Sequence, residues 1–180
     1  MKIVKISLII IVSLIALFFV ISFFLPSHCH LERSISIRAT DKEIYNELNS
    51  FKNFSLWSPW AKKDPKAKYW YSGPEVGVGS RMDWKGDPNT VGSGYQKILE
   101  SRPNEFINVE LVFDPYVKAN ASYKIKSEGN GLINVTWTFD EDMKGISEKY
   151  FGLIMESFLG PDYEEGVKNL KKYIESKPKI

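Results

Sequence analysis

The sequence has little with which to do covalent chemistry. Among 180 residues there is one cysteine, Cys29, and there are two histidines, His28 and His30. A single cysteine excludes an intramolecular disulfide and any metal site built from several thiolates. Two histidines flanking that cysteine leave none for a histidine-based triad further along the chain. The Cys-His cluster invites a metal, but no second cluster follows, so these three residues read as a solvated linker and no metal ligand is assigned. Charge is nearly balanced at +2 with no basic run, which offers nucleic acid no surface. Gly77, Gly79, Gly92 and Gly94 lack the Gly-Lys-Ser/Thr ending of a phosphate loop and read as turns and bulges. There is no internal repeat.

What the sequence does have is one long apolar run, from Ile6 to Leu25, interrupted only by Ser7, Ser13 and Ser22. Twenty helical residues rise ~30 Å, the thickness of a bilayer's hydrocarbon core. Pro26 then stops the helix. The run exceeds the ~7–15 residues of a signal-peptide core, and no small-x-small site follows Leu25. Residues 1–30 are therefore expected to form a transmembrane anchor with a short juxtamembrane linker, and the membrane is a partner through residues 6–25. Lys2 and Lys5 before the run favour a cytoplasmic N-terminus, with the domain outside the cytoplasm.

Residues 31–180 are the right length for one domain. Leu31, Ile35 and Ile37 alternate with polar residues and predict a strand. Thr40 or Asp41 caps a short helix over Lys42 to Leu48. A second short helical or turn segment carries Phe51, Phe54 and Trp57. Six further strands are expected: Lys68 to Ser72, Ser80 to Lys85, Val91 to Ser101, Glu105 to Phe113, Val117 to Ser127 and Leu132 to Phe139. Asp114-Pro115 and Asn130-Gly131 supply turns. One face of these strands is apolar: Ile107, Val109, Leu111 and Phe113; Ala119, Ala121, Tyr123 and Ile125; Ile133, Val135, Trp137 and Phe139. The other face carries lysine, glutamate, asparagine and threonine, as in a sheet wet on one side only.

The cover for that face lies at the C-terminus. Tyr150, Phe151, Ile154 and Phe158 recur at helical spacing, as do Val167, Leu170 and Ile174. Gly160-Pro161 between them predicts a break. The fold class is α+β: an antiparallel sheet of about seven strands around a long C-terminal helix, with one N-terminal transmembrane helix.

Several short motifs then form a series. Phe54-Ser55-Leu56-Trp57-Ser58-Pro59-Trp60 is followed by Asp64-Pro65 and Tyr71-Ser72-Gly73-Pro74. Gly77-Val78-Gly79, Trp84-Lys85-Gly86 and Gly92-Ser93-Gly94 come next, then Val135-Thr136-Trp137 and Gly160-Pro161-Asp162-Tyr163-Glu164-Glu165-Gly166-Val167. In order and spacing this series resembles the polyketide cyclase/dehydrase and lipid-transport family of the START/Bet v 1-like superfamily. The resemblance covers about residues 31–175. It implies the helix-grip fold, a strongly curved antiparallel sheet around a long helix, with a hydrophobic cavity between them.

No catalytic constellation is found. Glu141-Asp142 and Asp162, Glu164 and Glu165 could do acid–base work, but charges at element ends are read as solvated faces. The expected site is an apolar cavity. Its candidate lining is Trp57 and Trp60 from the helical segment; Met82, Trp84, Leu111, Phe113, Tyr123 and Trp137 from the strands; and Phe151, Ile154 and Phe158 from the last helix. Tyr69, Tyr71, Tyr95 and Gln96 could add polar specificity. The expected function is binding of a hydrophobic small molecule or lipid without catalysis and without a cofactor. The alternatives are a cyclase/dehydratase-type enzyme and an interaction protein with a collapsed cavity.

Overall fold

The computed structural model describes residues 2–114 and 117–178. Pro115, read as part of a turn, lies outside the described residues. The elements run α1 (Lys2–Phe24), β1 (His28–Ile37), α2 (Asp41–Leu48), α3 (Phe54–Trp57), α4 (Trp60–Lys63), β2 (Lys68–Ser72), β3 (Arg81–Lys85), β4 (Ser93–Arg102), β5 (Phe106–Phe113), β6 (Val117–Gly129), β7 (Leu132–Asp142) and α5 (Ile146–Glu175). The seven strands form one antiparallel sheet in the order β1-β7-β6-β5-β4-β3-β2. This is the helix-grip fold, with the sheet wrapped around α5.

The first helix is one segment from Ile3 to Phe24 with mean hydropathy 3.0 and almost no burial. It is long and apolar enough to cross a membrane, a property that signal sequences share.

Local chemistry explains the element ends. Thr40 and Glu43 form a reciprocal capping box that starts α2. Asn130 and its two flanking glycines adopt positive φ and close the β6–β7 hairpin. The bulges at Ile98/Glu100 and Ser127/Gly129 shift the register of their strands.

Two sequence expectations are corrected. β1 begins at His28, not Leu31, and β7 ends at Asp142, not Phe139. Leu31 and Phe139 are partners, so apolar alternation ends on both strands at the same rung. The three extra rungs pair His28, Cys29 and His30 with Asp142, Glu141 and Asp140. Apolar alternation fails there, and histidine–carboxylate pairing across the strands takes its place. The second correction is at Pro161, which lies inside a continuous α5. Proline removes one backbone hydrogen bond, to the Ser157 carbonyl. Packing on both sides carries the helix through: Arg33 of β1 reaches Glu156, and Tyr163 is fully buried.

The core lies between the inner sheet face and the second half of α5. Ile107, Val109, Val135 and Phe139 from the strands meet Tyr163, Val167 and Leu170 from the helix, all at most 1% exposed. Each such side chain contributes about 1.5–3 kcal/mol on burial. Gly166 permits this closeness, because a Cβ there would stand 2.5 Å from the Trp137 ring.

Candidate ligand cavity

Where α5 leaves the tight core, the sheet and helix part. A cavity of ≈ 410 Å³ opens between strands β2–β7, the α3–α4 segment, the β3–β4 loop and the first half of α5. Its floor is aromatic. Trp137 stacks on Tyr123 at 5.4 Å between ring centres and lies 4.2 Å from the Tyr163 ring. Phe139 completes the floor. One side is held by Trp84, whose indole N–H donates to the Val91 carbonyl at 3.0 Å and meets Phe113 edge-on at 5.4 Å. Gly94, directly across from Trp84, makes that position possible: a Cβ would come within 2.8 Å of the indole and 2.0 Å of the Val112 carbonyl. The mouth is framed by Phe151 and Phe158 of α5, which stay partly exposed with ring centres 6.1 Å apart.

Of the residues expected to line a cavity, Trp60, Trp84, Leu111, Phe113, Tyr123, Trp137, Phe151 and Phe158 all do so. Three do not. Trp57 is wedged behind the floor, against Phe54 at 4.9 Å and Trp137 at 5.6 Å. Met82 is buried in the core, its sulfur 3.9 Å from the Gln96 amide nitrogen. Ile154 is 44% exposed and turns away from the opening. Of the four polar candidates, Tyr69 and Gln96 line the cavity. Tyr71 is exposed, while the Tyr95 hydroxyl donates to Glu110, so both stand apart from it.

The sequence reading missed Phe54, Ala121, Phe139, Met155, Leu159 and Tyr163 as lining residues. Ala121 and Phe139 already lay on faces identified as apolar, and Met155 and Leu159 are spaced with Phe151 and Phe158. Periodicity could have found these four. Lys63 and Asp162 carried no such signal. They are 99 residues apart, yet the Lys63 ammonium donates to the Asp162 carboxylate at 2.7 Å. The Trp60 indole donates to the same carboxylate at 3.1 Å. Asp162, expected on a solvated face, is 7% exposed.

The polar groups in this wall are poorly suited to acid–base chemistry. Asp162 is engaged by a lysine and an indole. Burial pushes the Tyr123 and Tyr163 phenols far up, so both stay protonated. They can donate hydrogen bonds but not act as phenolate bases. Among the described residues, the Tyr163 hydroxyl and the Trp137 indole N–H are buried with no partner.

The two histidines lie elsewhere, on the solvent side of β1. His28 and His30 reach Asp140, His28 also reaches Asp142, and the ring nitrogens and the Asp140 carboxylate offer three metal-type donors within 4.8 Å of one another. Their reading as linker residues is thus replaced by a hydrogen-bonded strand edge. Glu141 on the inner face is also unlike its expected solvated state: it is 6% exposed, and one carboxylate oxygen has no partner.

A curved sheet gripping a long helix over an apolar cavity defines the Bet v 1-like class. Residues 28–175 match the model of the family described as polyketide cyclase/dehydrase and lipid transport, and the chain belongs to that family. None of the curated proteins matches it. Among solved structures, truncated norcoclaurine synthase from Thalictrum flavum is similar, with TM-score 0.65 at 12% identity, covering 84% of this chain and 96% of that one. The same enzyme with dopamine and hydroxybenzaldehyde aligns with TM-score 0.62 at 16% identity over 84% and 90%. The Zhui aromatase/cyclase from Streptomyces sp. R1128 aligns with TM-score 0.61 at 12% identity over 82% and 94%. At these identities the likeness is one of fold.

Proposed function

We propose that the protein binds a hydrophobic small molecule or lipid in the cavity and holds that activity at a membrane. In this reading α1 (Lys2–Phe24) is the anchor, and the domain that begins at β1 (His28–Ile37) binds the ligand. The observation that carries it is the ≈ 410 Å³ aromatic-walled space between the sheet and the first half of α5. Its volume is at the low end of small-molecule sites. Burying ~250 Å² of apolar ligand surface gives about 6 kcal/mol before association costs, so area alone permits only weak binding. Lys2 and Lys5 support a domain on the extracytoplasmic side. A cyclase/dehydratase-type enzyme is the second reading, and it would require the Lys63–Asp162 pair in the wall to open and release its carboxylate. Turnover of a poly-β-keto substrate that is lost in Asp162→Asn would favour it.

The test is titration of the full chain in nanodiscs with the fluorescent fatty acid cis-parinaric acid, read by energy transfer from tryptophan. Saturable transfer is expected, with loss in Ala121→Phe, which fills the cavity from β6. Absence of saturation, or binding that survives the filled cavity at unchanged melting temperature, would sink the reading.

A further inference from the structure

The first half of α5 carries an apolar face that the protein itself leaves uncovered. Ile146, Tyr150, Leu153, Ile154, Ser157 and Phe158 fall on one side at the i, i+4, i+7, i+8 spacing of a helical stripe. No charged residue interrupts this face. Glu148, Lys149 and Glu156 all lie off it, and Glu156 is tied to Arg33. Leu153 and Phe158 are more than half exposed, and Phe151 at the edge of the face is 45% exposed. A contiguous exposed apolar face next to a cavity mouth needs an occupant.

The neighbour of this face is α1. The Tyr150 ring stacks on Phe18 at 4.3 Å, and its hydroxyl donates to the Phe18 carbonyl at 2.8 Å. The Lys149 ammonium reaches the Ser22 carbonyl at 3.4 Å. Phe18 lies six residues before the end of α1, about 9 Å along the helix axis. If α1 spans a bilayer, a residue that touches Phe18 sits below the headgroups. Amphipathic helices bury their apolar faces to ~5–10 Å, and tyrosine favours that boundary.

We propose that the uncovered face of α5 beds into the bilayer that α1 spans, and that the cavity exchanges its ligand sideways with that bilayer. This rests on the binding reading above and adds the ligand's source. Phe151 and Phe158 join the two surfaces, since both line the cavity and both face outward. A molecule leaving the acyl region passes between them without crossing water. The cavity volume suits a single acyl chain or a slim ring system, not a whole two-chain lipid.

Two measurements on the full chain in phosphatidylcholine/phosphatidylglycerol nanodiscs test this. In a Cys29→Ser background, Leu153→Cys, Ile154→Cys and Phe158→Cys are spin-labelled one at a time, with Leu99→Cys, exposed on β4, as the water reference. Oxygen should relax the three α5 labels more than a water-soluble nickel chelate does, with the reverse at Leu99. Nickel-dominated relaxation on α5 overturns the proposal. Concentration-dependent dipolar broadening also overturns it, because a second copy would then occupy the face. The second measurement is loading with cis-parinaric acid, supplied in the nanodisc lipid or on cyclodextrin. The double variant Leu153→Asp/Ile154→Asp, at unchanged melting temperature, should load at least tenfold more slowly from the bilayer and equally from cyclodextrin. Equal loading from both sources overturns the sideways route. If the unaltered protein loads from neither source, the binding reading falls and takes the route with it. The spin-label result would then still decide whether α5 lies in the bilayer.

Discussion

The two halves of α5 are written in the same pattern and meet opposite surroundings. Val167, Leu170 and Ile174 in the second half are buried against β1 and the inner sheet. Leu153, Ile154 and Phe158 in the first half recur at equivalent spacing, yet they face outward beside the cavity mouth and α1. Amphipathic periodicity states that a face requires cover but not what the cover is. The difference follows position along the sheet. The second half lies over the end of β1 and near α2, where the chain supplies its own partner surface. The first half lies at the end where β1 starts and β7 stops, next to the apolar N-terminal helix.

The sharpest way to break this comparison is a matched pair of truncations. Leu170 is fully buried, so Leu170→Ala removes contacts and leaves a cavity, at a cost of about 2–5 kcal/mol. Leu153 is 56% exposed, so Leu153→Ala should cost less than about 0.5 kcal/mol. Denaturant unfolding of both variants measures the gap. Equal losses would mean that the first half is packed as tightly as the second, and the contrast would fail.

The same contrast explains how much could be read from sequence. Strand count, strand order along the chain and the inward faces followed from alternation, since one wet face and one dry face leave a period-two signature. Strand ends did not, because at residues 28–30 and 140–142 the pairing is between histidines and carboxylates, not apolar side chains. The unbroken course of α5 through Pro161 did not either. Local chemistry there argues for a stop, and only tertiary packing overrides it. Lining residues were legible as inward-facing residues. Whether space or another side chain stands in front of each was not, which is why Trp57 and Met82 were grouped with Trp84 and Tyr123. Partnerships across the chain, such as Lys63 with Asp162, leave no mark in the pattern of either segment.

A second test uses buried carboxylates at the two ends. Glu47, in α2 near the end of α5, is 4% exposed and is paired with Lys177. Lys177→Met leaves that carboxylate without its counter-charge and should cost about 1–3 kcal/mol. Glu141, on β7 at the other end, is as deeply buried but has Glu148 nearby in place of a cation. Burial, then the Glu148 charge, raises its proton affinity. A carboxyl whose folded pKa is raised lowers stability as pH climbs through its unfolded value and on to its folded one. Glu141→Gln should therefore stabilise the protein at neutral pH by about 1 kcal/mol, with the gain vanishing below the ordinary glutamate range near pH 4.5. Melting temperatures across pH 4–8 would reveal it. A Glu141→Gln variant that is less stable at pH 7 would show that this end is built for stability as the other is.

The smallest expected effect lies on the outer rung beside it. The hydrogen bond to Asp142, followed by opposing desolvation and the weaker bond to Asp140, holds the His28 pKa above its ordinary 6.5. A base whose folded pKa is raised adds stability that is complete below the unfolded value and disappears as pH rises through the folded one. His28 is exposed, so solvent screens most of this interaction. His28→Gln should cost a few tenths of a kcal/mol at pH 5.5 and nothing at pH 8.5, and the pH 5.5 loss should shrink in 1 M salt. These rungs extend the sheet beyond the last apolar pair, Leu31 and Phe139. A loss at pH 8.5 equal to that at pH 5.5 would mean that backbone pairing and packing hold the strand end there, with the histidine's charge playing no part.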